Sequence, residues 1–413
     1  MKRKLSALEH MIDGNICSQM RLEGDFAPQR LRAALARVQR KHPALRALIR
    51  EEPDGLYYED DSAPEIPLRV LTRERDDDVR RAREEELAAA FPYDQPQLRA
   101  VWLRSERESD LLLTTSHRIC DGMSMLTLVR EVLRAIHADD ELAPYPRVTT
   151  RDIIGAYRPP SMWKRRLAAR ALNGLLRLLP ASRRPPVNRE HVLEWSAGRE
   201  LTGALRRRCK SDGVSMHAAL LVALDRVLPA VLGRKRTPAW LDSPMDARRG
   251  RLAALGSDML FFGGGTVQLR TGQAVGKEFW TRAKEVTADL RRQIDRETRA
   301  IPSRYHFCEL LRPLSSGQIH TLVRLGDGLR MNGSWNRFAL SNLGKVTMDD
   351  GDAPFRVKDL RVYVHSFNVR VLGIIAYAFD GDMRFCYVGD EKCLSRAEAE
   401  RLRRELMALL KTR

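Results

Sequence analysis

His117, Asp121 and Gly122 stand in the order His-x-x-x-Asp-Gly. An imidazole titrates near neutrality, so at pH 7 its neutral form can take a proton from an incoming hydroxyl or amine. Asp121 has two readings. It can orient His117 as in a catalytic triad, or it can be a structural carboxylate at a helix start that needs a cation when buried. We take the structural role, with Arg248 as the candidate cation and one more surface arginine as the alternative. Gly122 beside it allows an unusual backbone angle. Cys120 adds a thiol to the same stretch, which by itself is weak evidence for a nucleophile. Far along the chain, Ser341-Asn342-Leu343-Gly344 ends a strand and turns. Ser341 and Asn342 can donate to a developing oxyanion, and such donors are worth about 2.7–4 kcal/mol. The alternative is a turn in which Asn342 satisfies its own backbone.

These side chains need a frame. Leu111 to Leu113 reads as a buried strand. From Met123 to His137 the apolar residues Met125, Leu128, Val129, Val132 and Ile136 recur at helical spacing. His117 therefore falls where a strand gives way to a helix, a usual place for a reactive side chain on a rigid scaffold. Upstream, Ile16 to Leu22 and Leu98 to Arg104 read as strands, and Pro28 to about Lys41 and Asp76 to Ala90 as helices. Downstream, helices are expected from about Arg199 to Lys210, from Met216 to Leu232 behind the cap Ser215, from about Gly276 to Thr298, and from Ser395 onward. Strands are expected at Ala239 to Pro244, Leu260 to Leu269, Phe338 to Ser341, Phe355 to Val364 and Met383 to Val388. Gly263-Gly264-Gly265 suggests a bulge or a close backbone approach. It is no phosphate loop, because no Gly-Lys-Ser/Thr follows.

At 413 residues the chain is long for one core, and two domains are expected. We divide it at 1–157, 158–188 and 189–413. Content of 43% hydrophobic and 31% charged residues excludes a disordered chain. No apolar run approaches the roughly 20 residues of a membrane span, and the basic start is followed by no signal-peptide core. The expectation is a soluble cytoplasmic protein. Its six cysteines form no C-x-x-C pair and no zinc-spaced cluster with histidine, which reads as free thiols in a reducing compartment. A net charge of +18 favours anionic partners, and does not choose among phosphates, nucleic acid, acidic proteins and anionic lipid. No reading module for nucleic acid is found, so no specific nucleic-acid partner is expected. The 158–188 connection is Pro-bracketed, helix-like from Leu172 to Leu179 and basic from Trp163 to Arg184, with no acidic residue among them. It can lie on a membrane surface or an acidic partner, or be a solvated linker whose leucines pack on the body.

His117 to Gly122 resembles the core of the His-His-x-x-x-Asp-Gly motif of condensation domains from nonribosomal peptide synthetases. The same His-x-x-x-Asp-Gly occurs in chloramphenicol acetyltransferase relatives, alcohol acetyltransferases and polyketide-associated acyltransferases. Further landmarks follow in order: Leu5-Ser6-Ala7-Leu8-Glu9, Phe91 to Arg99, Gly213-Val214-Ser215-Met216, Ser243 to Arg248, and Ser341 to Gly344. Ser116 replaces the first histidine of the condensation motif, which sides the chain with the acyltransferases. The Asp-Phe-Gly-Trp-Gly motif of the plant members is absent. The resemblance implies an α/β fold of two chloramphenicol-acetyltransferase-like subdomains in a V, with His117 in a tunnel between them and Ser116 and Cys120 as lining candidates. It implies that Arg248 pairs with Asp121. It also implies direct acyl transfer, without an acyl-enzyme, from acyl-CoA or an acidic acyl carrier protein to a hydroxyl or amine in lipid or natural-product biosynthesis. Neither a metal nor a redox cofactor is needed. The alternative is a non-catalytic condensation-like domain that binds a carrier protein.

Overall fold

The computed structural model describes residues 2–413 apart from 6, 12, 53–54, 107, 140–141, 184–188, 249–251, 253, 263–264, 329–336, 349–350 and 368–369, and apart from the side chains of 8, 11, 327 and 328. Ser6 of the opening landmark, Gly263 and Gly264 of the glycine run, and Arg184 with the end of the linker lie outside the described residues.

Two larger sheets carry the molecule. The five-stranded sheet runs Phe355–Ser366, Gly14–Gly24, Glu108–Ser116, Leu98–Arg104, Leu68–Thr72, in that spatial order. Its centre is the strand that leads to His117, and period-two alternation sorts that strand's leucines. Leu111 and Leu113 pack with Leu31, Leu35 and Val38 of helix Pro28–Lys41 and with Met125 and Val129 of helix Gly122–His137. Leu112 points the other way, into a core shared with Cys17, Val101 and Tyr363. That second core also takes Cys386 and Val388 from the other sheet, so apolar packing joins the two halves directly.

The six-stranded sheet runs Thr266–Arg270, Trp240–Pro244, Arg337–Val346, Leu372–Phe379, Asp382–Asp390, Glu190–Ser196. It packs against the apolar helix Met216–Leu232, whose cap Ser215 accepts from the Ala218 amide at 3.1 Å. Helices Arg199–Ser211, Phe279–Cys308 and Arg396–Lys411 complete that core. A small separate sheet of Lys2–Lys4, Gly55–Glu59 and Leu48–Glu52 adds Ile49, Leu56 and Tyr58 to the core of the first sheet.

Several expectations change. Phe355–Ser366 belongs by chain order to the 189–413 segment, yet it pairs antiparallel with Gly14–Gly24 in the first sheet. Sheet membership therefore does not follow the 1–157 and 189–413 division. The linker forms one helix, Met162–Leu178, beginning ten residues before the expected Leu172. The long helix runs on to Cys308 through Pro302. Among the described residues of the Leu260 to Leu269 segment, only those from Thr266 are strand, and Phe261 and Phe262 lie in irregular chain. No single described helix is long and apolar enough to cross a membrane.

Candidate active site

The strand Glu108–Ser116 ends one residue before His117, whose amide donates to the Gly14 carbonyl at 2.8 Å. A turn over 117–119 brings the chain back, and the imidazole Nδ1 lies 2.7 Å from the Cys120 carbonyl. A carbonyl only accepts, so Nδ1 carries the hydrogen and Nε2 is left as the lone-pair nitrogen. The ring of Phe262 meets the imidazole edge-on, with centroids 4.8 Å apart at 89°. His117 is half-buried. Burial lowers its pKa below the ordinary imidazole value, opposed by the Cys120 carbonyl and the Asp121 carboxylate. The group is therefore a neutral base at pH 7.

Asp121 caps the following helix, its Oδ1 accepting from the Ser124 amide at 2.8 Å. Both carboxylate oxygens also accept from Arg248 Nη2, at 2.6 and 2.7 Å. Arg248 is 1% exposed. Its Nη1 donates to Ser124 Oγ at 3.1 Å and to the Met259 and Phe261 carbonyls, both at 3.3 Å, and its Nε sits 3.0 Å from Asp246 Oδ1. Burial opposes this cation, but the Asp121 and Asp246 carboxylates outweigh burial and raise its pKa. Asp121 thus spends its oxygens on Arg248 and the helix end, while the Cys120 carbonyl orients the imidazole. Between the two sequence readings of Asp121, the geometry is that of the ion pair.

Gly122 is an ordinary helical residue without a positive φ, so the expected unusual backbone angle is not its reason. A Cβ at this position would lie 2.7 Å from Leu343 Cδ2. The glycine lets a strand of the second sheet approach the N-terminus of the motif helix.

His117, Gly122 and Phe262 line a cavity of about 400 Å³ together with Ser341 and Leu343. Val362, Ile374 and Val388 make its walls mainly apolar, and both sheets contribute. Phe262 also borders a smaller cavity of about 90 Å³, with Arg118 and Tyr305 on its wall. The pair Ser341 and Asn342 divides. Ser341 lines the cavity with His117, whereas Asn342 Oδ1 accepts from the Gly344 amide at 2.9 Å, at the bulge where the strand's register shifts. Ser116 and Cys120 are not among the cavity's lining residues. The backward-alternating strand turns Ser116 inward, where its Oγ accepts from the Arg118 amide at 3.4 Å. Cys120 is fully buried, and burial pushes its thiol far up, away from a reactive thiolate. Among the described residues no three His, Cys, Asp or Glu side chains cluster to hold a metal ion.

Reading the sequence missed Phe262, Ser124 and Asp246. Ser124, three residues past Asp121, was open to discovery as a first-turn polar residue on an otherwise apolar helix face. Phe262 carried no signal, because only the folded chain sets it against the imidazole.

Two α/β sheets joined through an apolar core, with a histidine at a strand end facing the cavity between them, define a V-shaped fold of two chloramphenicol-acetyltransferase-like subdomains. The family model for the condensation domain matches residues 13–292, and the chain belongs to that family. Plipastatin synthase subunits A and B of Bacillus subtilis (strain 168) are similar to it, 25% identical over 256 residues and 26% over 254, in each case 57% of this chain and 10% of the relative. The matched region spans about a tenth of the length of these curated relatives. Among solved structures, the first condensation domain of the CDA synthetase superposes with a TM-score of 0.67 at 16% identity, covering 99% of this chain and 95% of that one. Polyketide synthase associated protein 5 from Mycobacterium tuberculosis superposes at 0.65 and 14%, covering 99% and 97%. The epimerization domain from the third module of tyrocidine synthetase B does so at 0.66 and 13%, covering 100% and 96%. At these identities the likeness establishes the fold.

Proposed function

We propose that the chain is an acyltransferase that moves an acyl group from a thioester, acyl-CoA or an acyl carrier protein, to a hydroxyl or amine, in lipid or natural-product biosynthesis. The observation that carries this reading is the fixed imidazole: Nδ1 donates to the Cys120 carbonyl and the ring lines an apolar cavity alongside Ser341. His117 Nε2 takes the acceptor's proton as the acceptor oxygen or nitrogen attacks the thioester carbonyl. The Ser341 hydroxyl donates to the oxyanion of the tetrahedral intermediate. Collapse breaks the carbon–sulfur bond, and the imidazolium returns its proton to the leaving thiolate. No bond to the protein forms at any stage, and no cofactor enters. The net charge of +18 suits the phosphates of coenzyme A or an acidic carrier protein. The six free cysteines suit the cytoplasm, where thiols stay reduced.

The test is product analysis by mass after incubation with a panel of acyl-CoA and acyl-carrier thioesters and of alcohols and amines. His117→Ala is expected to abolish product while the protein keeps its melting temperature. Full activity in that variant removes the proposal. One observation favours a second reading, a non-catalytic condensation-like domain that binds a carrier protein: Ser116 stands where the condensation motif has its first histidine. That reading predicts carrier binding with no product from any acceptor.

A further inference from the structure

Helix Met162–Leu178 is fastened along one side. Its Arg165 donates to Tyr157 Oη at 2.7 Å and to the Ser303 carbonyl at 2.5 Å. Asn173 donates to the Leu310 carbonyl at 3.0 Å and accepts from the Arg312 amide at 2.8 Å. Ala169 is the helix's buried residue. On the opposite side, Trp163, Leu167, Gly174 and Leu178 fall at i, i+4, i+11 and i+15, one line along a helix. Leu175 stands beside them. The exposures of Trp163, Leu167, Leu175 and Leu178 are 66%, 59%, 67% and 81%. A helix held so firmly by one face, with a large apolar ridge turned outward, is unusual for a surface met only by water.

The ridge is edged by cations. Lys164, Arg166, Arg170 and Arg177 are all exposed, and Arg183 follows the helix. Among the described residues none of the five forms an ion pair with a carboxylate, and Lys164 lies instead over the Trp163 ring at 5.5 Å. The sequence holds no Asp or Glu between Asp152 and Glu190. A second copy of this chain would bring the same cations against these and be repelled. A partner with an apolar interior beneath a negative surface satisfies both features at once. Long basic side chains can then reach the charged layer while the ridge sinks below it.

We propose that helix Met162–Leu178 seats the protein on an anionic lipid bilayer, lying in the plane of the membrane with Trp163, Leu167, Leu175 and Leu178 inserted. This goes beyond the transfer reaction and does not depend on it.

The experiment is co-sedimentation of the full chain with two vesicle types: phosphatidylcholine alone, and phosphatidylcholine mixed with phosphatidylglycerol. Binding is expected to the mixed vesicles, accompanied by a blue shift of tryptophan emission that Trp163→Phe removes. The combined variant Trp163→Ser, Leu167→Ser, Leu178→Ser keeps every charge and touches only exposed positions, so its melting temperature is expected unchanged. Its partition onto mixed vesicles is expected to fall about tenfold or more, because the inserted apolar area is gone. Arg166→Gln, Arg170→Gln, Arg177→Gln is expected to lower it comparably at low salt. Equal binding by the serine variant overturns the proposal, since general surface charge then carries the adhesion. Absence of vesicle binding overturns it too. So does an arginine-dependent complex with an acidic carrier protein in a chain that ignores vesicles, which makes the occupant a protein.

Discussion

Arg248 and Asp121, 127 residues apart in the chain, meet in a two-point ion pair of 2.6 and 2.7 Å behind the histidine turn. The pair ties the start of the motif helix to the segment that follows a strand of the second sheet. It thereby sets where His117 stands relative to the second half.

The two ends of this pair are not equivalent. Arg248→Met removes the cation shared by Asp121 and Asp246, each of which keeps a backbone-amide donor, and we expect a loss of about 3–5 kcal/mol, the usual consequence of breaking a buried pair. Asp121→Asn leaves Arg248 with Asp246 and with its carbonyl partners, and its side chain is already 22% exposed. A smaller loss of about 1–3 kcal/mol is expected. Denaturant midpoints of the two variants check the order.

The acid limb of the pH profile of the proposed activity is expected to report His117. In the proposed transfer the neutral imidazole is the active form, and burial lowers its pKa in the folded protein. Activity is therefore expected to hold at neutral pH and to fall only as pH drops through a value below the ordinary 6.5. A profile of kcat/KM against pH measures it, and a midpoint above that value contradicts the buried setting.

Gly122→Ala presses a methyl group toward Leu343 Cδ2. Alanine favours the helix, so the sign of the single substitution depends on how far Leu343 yields. The coupling has a definite sign. Gly122→Ala is expected to be more destabilising with Leu343 present than in a Leu343→Ala background, by about 0.5–3 kcal/mol in a double-mutant cycle.

Ser341 and Asn342 are adjacent but face different tasks. Ser341→Ala is expected to lower kcat by a factor on the order of 10²–10³ with little change in melting temperature. Asn342→Ala removes the acceptor of the Gly344 amide at the bulge and is expected to lower stability by about 1 kcal/mol with kcat largely kept. Steady-state kinetics beside thermal melts separate them.

What the sequence determined by itself was local. The apolar run at Leu111 and the 3.6-residue recurrence after Met123 placed His117 between a strand and a helix, as found. Helix Met216–Leu232 has the expected bounds, because its start is marked by its own cap at Ser215 and its apolar run is legible within a few positions, although packing on the second sheet holds it. The resemblance carried by spaced landmarks supplied the two-subdomain fold and the partner of Asp121. Only the tertiary structure decided which strand lies beside which. Phe355–Ser366 reads as a strand in either half, and its pairing with Gly14–Gly24 follows from the packing of two sheets, which no local period encodes. The same holds for Phe262 against the imidazole, for Leu343 over Gly122, and for Ser341 facing the cavity while Asn342 turns to its own backbone. Each is a contact between segments far apart in the chain. Such contacts depend on register and strand order, which are settled when the whole apolar surface is buried together.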